Sequence, residues 1–234
     1  MIKGLLSISI YFTFLQCLFG QLPTRDFHIE EFQRKTFEYY GSNKIIPKEI
    51  MPQVLTALSF YPELRNVRIK FRVRKRKTPL TSRPRILSVF RKKKNRNYVI
   101  TISNATTDRL TPILLSNLPY NAQIGVLGHE LAHISHYNTQ NTFQLIGLSL
   151  GMLRSTYVDE FEWNTDKSTI EHGLGYQLYD WSSYVRNALN IREWLGASQD
   201  VLDADLLKPK ERYMNPKTIL KHIQSNEQYN NILD

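Results

Sequence analysis

The sequence predicts a single α+β domain, with a small β-sheet in its first half packed against a mostly helical second half. Its 234 residues, of which 41% are hydrophobic and 12% aromatic, suffice to bury a core and exclude a disordered chain. Residues 67–74 alternate strictly between apolar and basic side chains, which is the period of a half-buried strand. After Pro119 the apolar residues recur at helical spacing to the end of the chain.

Residues 1–20 have the layout of a secretory signal peptide. Lys3 gives a positive start, an uncharged run follows from Gly4, and the small residue Gly20 stands at the expected cleavage point. We therefore expect an exported protein, periplasmic or secreted, whose mature part is one domain over residues 21–234. A retained membrane anchor is the alternative, although the run is shorter than the roughly 20 apolar residues of a spanning helix. The single cysteine, Cys17, lies in this segment, so the mature chain can form no disulfide.

Local signals predict where three of the helices begin or end. Phenylalanines at near-helical spacing indicate a helix over residues 26–40, with Gly41 as its stop. Pro47 is well placed as the first residue of the next helix. Near the end of the chain, Asn215 and Pro216 form a cap and first turn for a last helix.

The strands are expected in a basic part of the chain. Beyond the strand at 67–74, the β-rich runs 86–90 and 98–102 are joined by RKKKNRN, which predicts a basic hairpin. The net charge of +10 is concentrated in residues 64–107, which hold 15 Lys or Arg and no acid. The remaining residues carry 16 basic and 21 acidic side chains.

Two basic runs could bind an anionic membrane surface or an acidic polymer. The alternative is that the hairpin run is a solvated tip that protects a sheet edge. Nucleic acid is not the partner that the sequence favours, because few aromatic side chains are interleaved and the chain carries an export signal. The two runs consist of Arg74, Lys75, Arg76 and Lys77, and of Arg91, Lys92, Lys93, Lys94 and Arg96.

The run GVLGHELAHISHY at residues 125–137 predicts a helix that binds a metal ion. His129 and His133 are four residues apart, so their imidazoles project from one helix face and can share an ion. Glu130 is rotated by about 100° from His129, out of ligand reach but close enough to act as a general base. This is the HExxH pattern. The alternative is an ordinary buried helix, but two buried histidines without partners would destabilise it.

A catalytic zinc needs a third protein ligand and one open position. His136 follows His133 by only three residues, whereas the motif that uses a third histidine places it six residues later. Glu162 and Asp166 are the better candidates, since they are four residues apart on one face of a second helix. Glu162 can bind the ion while Asp166 accepts the second ring N–H of a histidine ligand. Glu160 is the rival ligand, and solvated acids on a surface helix are the non-functional alternative.

HELAH followed by EWNTD resembles the gluzincin metallopeptidases of the HtpX-like and CaaX-prenyl-protease type. NYVITIS and ILLSNLPYNAQIGVLGHELAH are similar to that family's strand, linker and motif helix, so the likeness covers residues 98–173. It implies a zincin-like fold, Zn²⁺ as cofactor and hydrolysis of peptide bonds in exported or envelope proteins. By this resemblance the zinc ligands are His129, His133 and Glu162, the catalytic base is Glu130, and Asp166 supports a ligand.

The chain departs from the membrane-bound members, which carry spanning helices around the motif. Residues 143–158 are predicted as a core helix, with a lid that touches a membrane as the alternative. The group that stabilises the oxyanion stays open among Tyr213, His172 and His222. The strand at 98–103 is expected to offer an open edge to an extended peptide substrate.

The competing hypothesis is a secreted protein without catalytic activity. It would bind anionic membrane or polymer surfaces through the basic hairpin and use HELAH as a structural metal site. A fourth protein ligand, such as His136 or His172, would favour that hypothesis, because it would close the site.

Overall fold

The computed structural model describes residues 22–27, 38–191 and 211–232. The fold is α+β, as predicted, with a four-stranded sheet in the first half and helices in the second. The expected signal peptide and its cleavage point lie outside the described residues, as does most of the helix predicted over 26–40. Residues 26 and 27 are not helical, whereas residues 38–40 are. None of the described helices is both long and apolar enough to cross a membrane.

The sheet has the strand order β1-β2-β4-β3. Both β1 and β4 run parallel to β2, and β3 runs antiparallel to β4. The alternation predicted around residues 67–74 is confirmed, because Ile69 and Phe71 of β2 are buried while the neighbouring basic residues are not. The strands are β1 (Lys44–Ile45), β2 (Arg68–Val73), β3 (Leu80–Pro84) and β4 (Asn97–Ile102).

The prediction of the hairpin is wrong for its first strand, residues 86–90. Residues Ile86–Ser88 form a turn of 3-10 helix, and β4 pairs instead with β3. Ser88 explains the turn, since its hydroxyl lies within hydrogen-bond distance of the carbonyl oxygens of Arg85 (2.7 Å) and Asn97 (3.0 Å). The apolar side chains of residues 86–90 therefore do not enter a sheet.

The open edge expected on the strand at 98–103 does not exist, because β2 and β3 occupy both sides of β4. The outer strand is β3, whose far edge pairs with no strand among the described residues. Arg85 N donates to Asn97 O (2.8 Å), and the alternation of an antiparallel ladder then turns the N–H groups of Leu80 and Ser82 outward. Pro84, the next outward position, has no N–H to offer.

Six α-helices lie entirely within the described residues. α1 follows a 3-10 turn that begins after Pro47, and α6 begins as predicted, with Asn215 Oδ1 accepting from Thr218 N (2.9 Å) and Pro216 in the first turn. The helices are α1 (Met51–Leu58), α2 (Tyr120–Thr139), α3 (Thr142–Gly151), α4 (Ser155–Thr169), α5 (Gly175–Ala188) and α6 (Pro216–Gln224).

Helix α2 carries the HELAH motif through the centre of the domain. Every residue from 124 to 134 is buried, and the helix packs against α1, α4, α5 and β3. Gly125 permits the close approach of α5, because a Cβ at this position would lie 2.1 Å from the carbonyl oxygen of Gln177. The motif is therefore enclosed, with α4 on one side and β3 on another.

The core helix predicted over residues 143–158 is confirmed only in part. The segment forms α3 and the start of α4, which are separated by a turn. Leu145 and Leu148 of α3 are buried, whereas Phe143 and Leu150 on the opposite face are 84% and 62% exposed. Helix α3 thus has two apolar faces, and only one of them packs against the domain.

Candidate metal centre

Three predicted ligands converge between α2 and α4. His129 Nε2 lies 3.1 Å and His133 Nε2 lies 3.3 Å from the same oxygen, Oε2 of Glu162. One ligand atom can be chosen from each residue so that the three atoms all lie within 4.8 Å of one another. The two histidines are buried and the Glu162 side chain is 16% exposed. These three residues could hold a metal ion.

The partners of the other ring nitrogens fit metal binding. His129 Nδ1 donates to Asp166 Oδ1 (2.8 Å), as the four-residue spacing of the two acids predicted. Thr165 Oγ1 lies 3.2 Å from His133 Nδ1 and donates its own proton to the carbonyl oxygen of Phe161 (2.8 Å). The hydroxyl must then accept from His133 Nδ1. Both Nε2 atoms therefore face the site, and a ring deprotonated at Nε2 is the tautomer that a metal ligand requires.

Thr165 was not identified from the sequence, although a signal for it exists. It follows Glu162 by three residues, so both lie on the α4 face that meets α2. Asp166 is held in turn by the backbone N–H of Met214, which donates to Oδ2 (2.8 Å). No local pattern could have indicated this bond, since the two residues are far apart in the sequence.

Two ion pairs, each with a buried acid, position the segment that contains Met214. Arg186 Nη2 contacts Glu211 Oε2 (2.6 Å), and Arg212 Nε donates to Asp159 Oδ1 (2.7 Å). Both acids are buried, and Asp159 lies on α4 together with the candidate ligand Glu162. The ion pairs thus connect residues 211–214 to α4 and α5 directly beside the site.

The electrostatics of the cluster are dominated by its carboxylates. Burial alone would lower the pKa of His129, but hydrogen bonds to Asp166 and Glu162 and their negative charges raise that pKa to about 10. Burial would raise the pKa of Glu162, yet the hydrogen bonds from His129 and His133 hold it well below its usual value. Glu162 is therefore ionised, as a ligand must be, and a cation at His129 has to displace a proton.

Glu130 is adjacent to the ligands but does not join them. It is buried, and its Oε2 has no hydrogen-bond partner within the described part of the chain. Burial raises the pKa of Glu130 above its usual value, and the charges of His133 and His129 offset only part of that effect. A buried carboxyl group with a raised pKa suits a residue that accepts and returns a proton near neutral pH.

A cavity of about 200 Å³ opens beside the ligands. His129 and Glu130 contribute to its wall, together with Trp181 and Tyr213, whose rings lie 5.5 and 5.8 Å from the His129 ring. Most of the remaining wall is apolar. It includes Pro79, Leu80, Leu110, Ile113, Val126 and Val185.

Of the three residues considered for oxyanion stabilisation, only Tyr213 lies at the site. His172 packs on Tyr61 and pairs with Glu63, and His222 packs against Trp163. Burial, followed by the negative charge of Glu162, raises the pKa of Tyr213 well above its usual value. Its hydroxyl therefore remains protonated at neutral pH.

The two other ligand candidates, His136 and Glu160, lie away from the candidate metal centre. His136 is exposed and packs edge-on against Phe161, and Glu160 is exposed in the same outer groove. Across residues 22–27, 38–191 and 211–232, the only cluster of His, Cys, Asp and Glu able to hold an ion consists of His129, His133 and Glu162. Such a site has three protein ligands and room for one more.

No protein-family model matches this chain, and no curated protein and no solved structure shows significant similarity to it.

Proposed function

We propose that the chain is a zinc-dependent endopeptidase, with a zincin-like site of the gluzincin type that its sequence resembles. The observation that carries the proposal is the convergence of two Nε2 atoms and one carboxylate oxygen beside a buried glutamate. Two imidazoles and a carboxylate that leave one position open are the ligands of catalytic zinc in proteases. Iron also accepts such ligands, but Glu130 supplies the proton acceptor that hydrolysis needs.

His129, His133 and Glu162 would hold the zinc ion. When bound, zinc would polarise the substrate carbonyl and bring the pKa of an attached water toward 7. Glu130 takes one proton from the attacking water and returns it to the amine nitrogen as the peptide C–N bond breaks. Tyr213 donates a hydrogen bond from its hydroxyl to the carbonyl oxygen on which negative charge develops. Asp166 and Thr165 keep the two imidazoles in the correct orientation.

The outer edge of β3 is the proposed binding site for the substrate backbone. The outward N–H groups of Leu80 and Ser82 can pair with an extended peptide, and Leu80 also lines the cavity beside the ligands. The apolar wall formed by Ile113 and Val185 favours an apolar substrate side chain next to the cleaved bond.

The decisive experiment compares two glutamine variants of the full chain for zinc content and for hydrolysis of dye-labelled unfolded casein. Glu130→Gln should keep one zinc per chain and lose activity by about 10²–10⁴-fold, because only the proton acceptor is removed. Glu160→Gln is the matched control, since this carboxylate is exposed on the outer side of α4, and it should behave as wild type. Hydrolysis by Glu130→Gln, or no hydrolysis by zinc-loaded wild type, would contradict the proposal.

A second pair of variants tests the strand. Ser82→Pro removes an outward N–H but leaves the bonds between β3 and β4 intact, so it should lower turnover while zinc binding is unchanged. Ser82→Ala also removes the hydroxyl that contacts Glu130 but keeps the N–H, so its turnover should exceed that of Ser82→Pro. Equal activity of the two variants would exclude backbone pairing at this edge.

A further inference from the structure

Large apolar side chains lie exposed on helix α3, on the turn after it and on residues 86–90, and three of them, Phe90, Ile146 and Leu150, line one groove. We refer to this group as the apolar ridge. Three of its members, Leu87, Phe143 and Leu153, are more than 80% exposed. Groups of exposed large apolar side chains on a protein surface mark interaction sites. The ridge consists of Leu87, Phe90, Phe143, Ile146, Leu150 and Leu153.

Helix α3 contributes a regular stripe to the ridge. Phe143, Ile146, Leu150 and Leu153 follow one another at intervals of three and four residues, so they share one face of the helix and the turn after it. The face turned toward the domain already holds Leu145, Leu148 and Met152. The exposed stripe is thus a second apolar face in excess of what the core needs.

The connection between β3 and β4 forms the other half of the ridge and is fixed to α3. Thr142 Oγ1 donates to the carbonyl oxygen of Val89 (3.0 Å), and Arg96 Nη1 donates to the carbonyl oxygen of Gln140 (2.6 Å). Arg96 is only 4% exposed, so it belongs to this support and not to the exposed basic run expected from the sequence. Residues 86–90 and α3 therefore present one surface.

Positive charge borders the ridge on the connecting segment. Residues 83–94 hold six Lys or Arg and no acid, and residues 141–154 add only Arg154. Residues 91–94 are all exposed. The second basic run, residues 74–77, lies at the other end of β3. The five residues of this strand span about 17 Å.

We infer that the apolar ridge inserts between the headgroups of an anionic lipid bilayer while residues 91–94 bind the lipid phosphates. Exposed apolar side chains next to several cations, with no acid among them, fit such a surface in both polarity and charge. A second copy of the chain fits less well, because a symmetric contact would bring the cations of both copies together. The inference does not depend on the proposed peptidase activity.

The test is a fluorescence measurement on the full chain with Cys17 replaced by serine. An environment-sensitive NBD dye is attached at Leu153→Cys in the ridge or, as the control, at Lys75→Cys in the other basic run. Vesicles contain either phosphatidylcholine alone or a mixture of phosphatidylcholine and phosphatidylglycerol. The dye at position 153 should become severalfold brighter and blue-shifted only with the anionic vesicles, and the dye at position 75 should stay unchanged.

Charge reversal separates the two basic runs. Changing Lys92, Lys93 and Lys94 to Glu should weaken binding to anionic vesicles by about a hundredfold. Changing Lys75, Arg76 and Lys77 to Glu should weaken vesicle binding less than tenfold. These residues lie farther from the basic run at residues 91–94, and so from the bound lipid phosphates, than the Debye length of about 8 Å.

Three results would overturn the inference. One is a dye at position 153 that stays in water with both kinds of vesicle. Another is a dye that becomes buried without vesicles as the protein concentration rises, since a second copy would then cover the ridge. The third is a dye buried without vesicles at every concentration, since another segment of the chain would then cover it.

Discussion

Two clusters of histidine and carboxylate contact helix α2, and they differ in how many imidazoles meet one carboxylate oxygen. In the candidate metal centre, each histidine uses Nδ1 for a fixed acceptor and turns Nε2 toward Glu162. In the second cluster, His172 donates from Nδ1 to the carbonyl oxygen of Ser168 (2.7 Å) and from Nε2 to Glu63 (3.1 Å). The ring of His172 also stacks on Tyr61, with centroids 4.2 Å apart.

The difference shows what distinguishes a metal site from an ion pair of the same residue types. His172 is the only imidazole that faces Glu63, so the two form an ion pair. His129 and His133 bring two Nε2 atoms to one oxygen of Glu162, so a cation that displaces the proton of His129 can contact all three residues. The composition of the two clusters is similar, and the second imidazole on the same carboxylate oxygen decides the chemistry.

The largest effect is predicted for a substitution in the metal centre itself. Glu162→Gln should weaken zinc binding more than about a hundredfold, because an amide oxygen replaces the only charged ligand, a larger loss than removal of an outer partner. Zinc affinity is measured by competition with a chromophoric chelator. Glu63→Gln is the matched change in the second cluster and should leave the affinity unaltered. A loss of zinc affinity in Glu63→Gln would mean that the two clusters are not independent.

A smaller effect is expected for the support of His129. Asp166→Asn should reduce zinc affinity by about 10–100-fold, since the imidazole loses a charged acceptor that fixes its tautomer. The same chelator competition applies, with Glu160→Gln on the same helix as control. Wild-type affinity in Asp166→Asn would show that the hydrogen bond does not orient the ligand.

Zinc affinity should also depend on pH. Because the pKa of His129 is raised to about 10, a cation at its Nε2 displaces one proton at neutral pH. Apparent affinity should therefore rise about tenfold for each pH unit between pH 6 and 9. Chelator competition at several pH values gives the slope. A flat profile would mean that His129 carries no proton to displace.

The smallest effect belongs to the second cluster and concerns stability. Burial lowers the pKa of His172, but the hydrogen bond and charge of Glu63 raise it above 6.5. Its contribution is therefore complete below pH 6.5 and is lost as pH rises through the raised pKa. Burial would raise the pKa of Glu63, but His172 lowers it below 4.5, so this contribution is lost as pH falls through the lowered pKa.

The ion pair should thus stabilise the fold most between pH 4.5 and 6.5. Since solvent screens Glu63, we expect His172→Gln to cost less than about 1 kcal/mol there, or roughly 2–4 °C in Tm. Thermal unfolding of both proteins across this range measures the effect. Lys167→Gln, which alters only an exposed pair, should show no such pH window. A constant difference in Tm at all pH values would show that packing and not charge holds the cluster.

The candidate site was largely predictable because its main residues obey helical spacing. The intervals between His129 and His133 and between Glu162 and Asp166 place each pair on one helix face without any knowledge of the fold. Thr165 lies on the same face but was missed, since a hydroxyl carries no metal-binding signature. The bond from Met214 N to Asp166 depends on packing between distant segments, so no local pattern encodes it.

The fold was predictable where burial of one face requires apolar residues to recur at a fixed spacing. Strand β2 alternates because one face is buried, and the helices after Pro119 follow the apolar repeat. Strand β3 gives no strand signal because its sequence LTSRP is mostly polar, as an edge strand can be. Residues 86–90 predict a strand that does not form, because an apolar run of that length has the same composition whether it enters a sheet or stays exposed.

The most direct test of the metal centre is an anomalous-difference map from crystals of the zinc-loaded chain. We predict one peak about 2.0–2.2 Å from His129 Nε2, His133 Nε2 and a Glu162 oxygen, with the fourth position filled by solvent. A fourth protein ligand, or an ion bound without Glu162, would contradict this account.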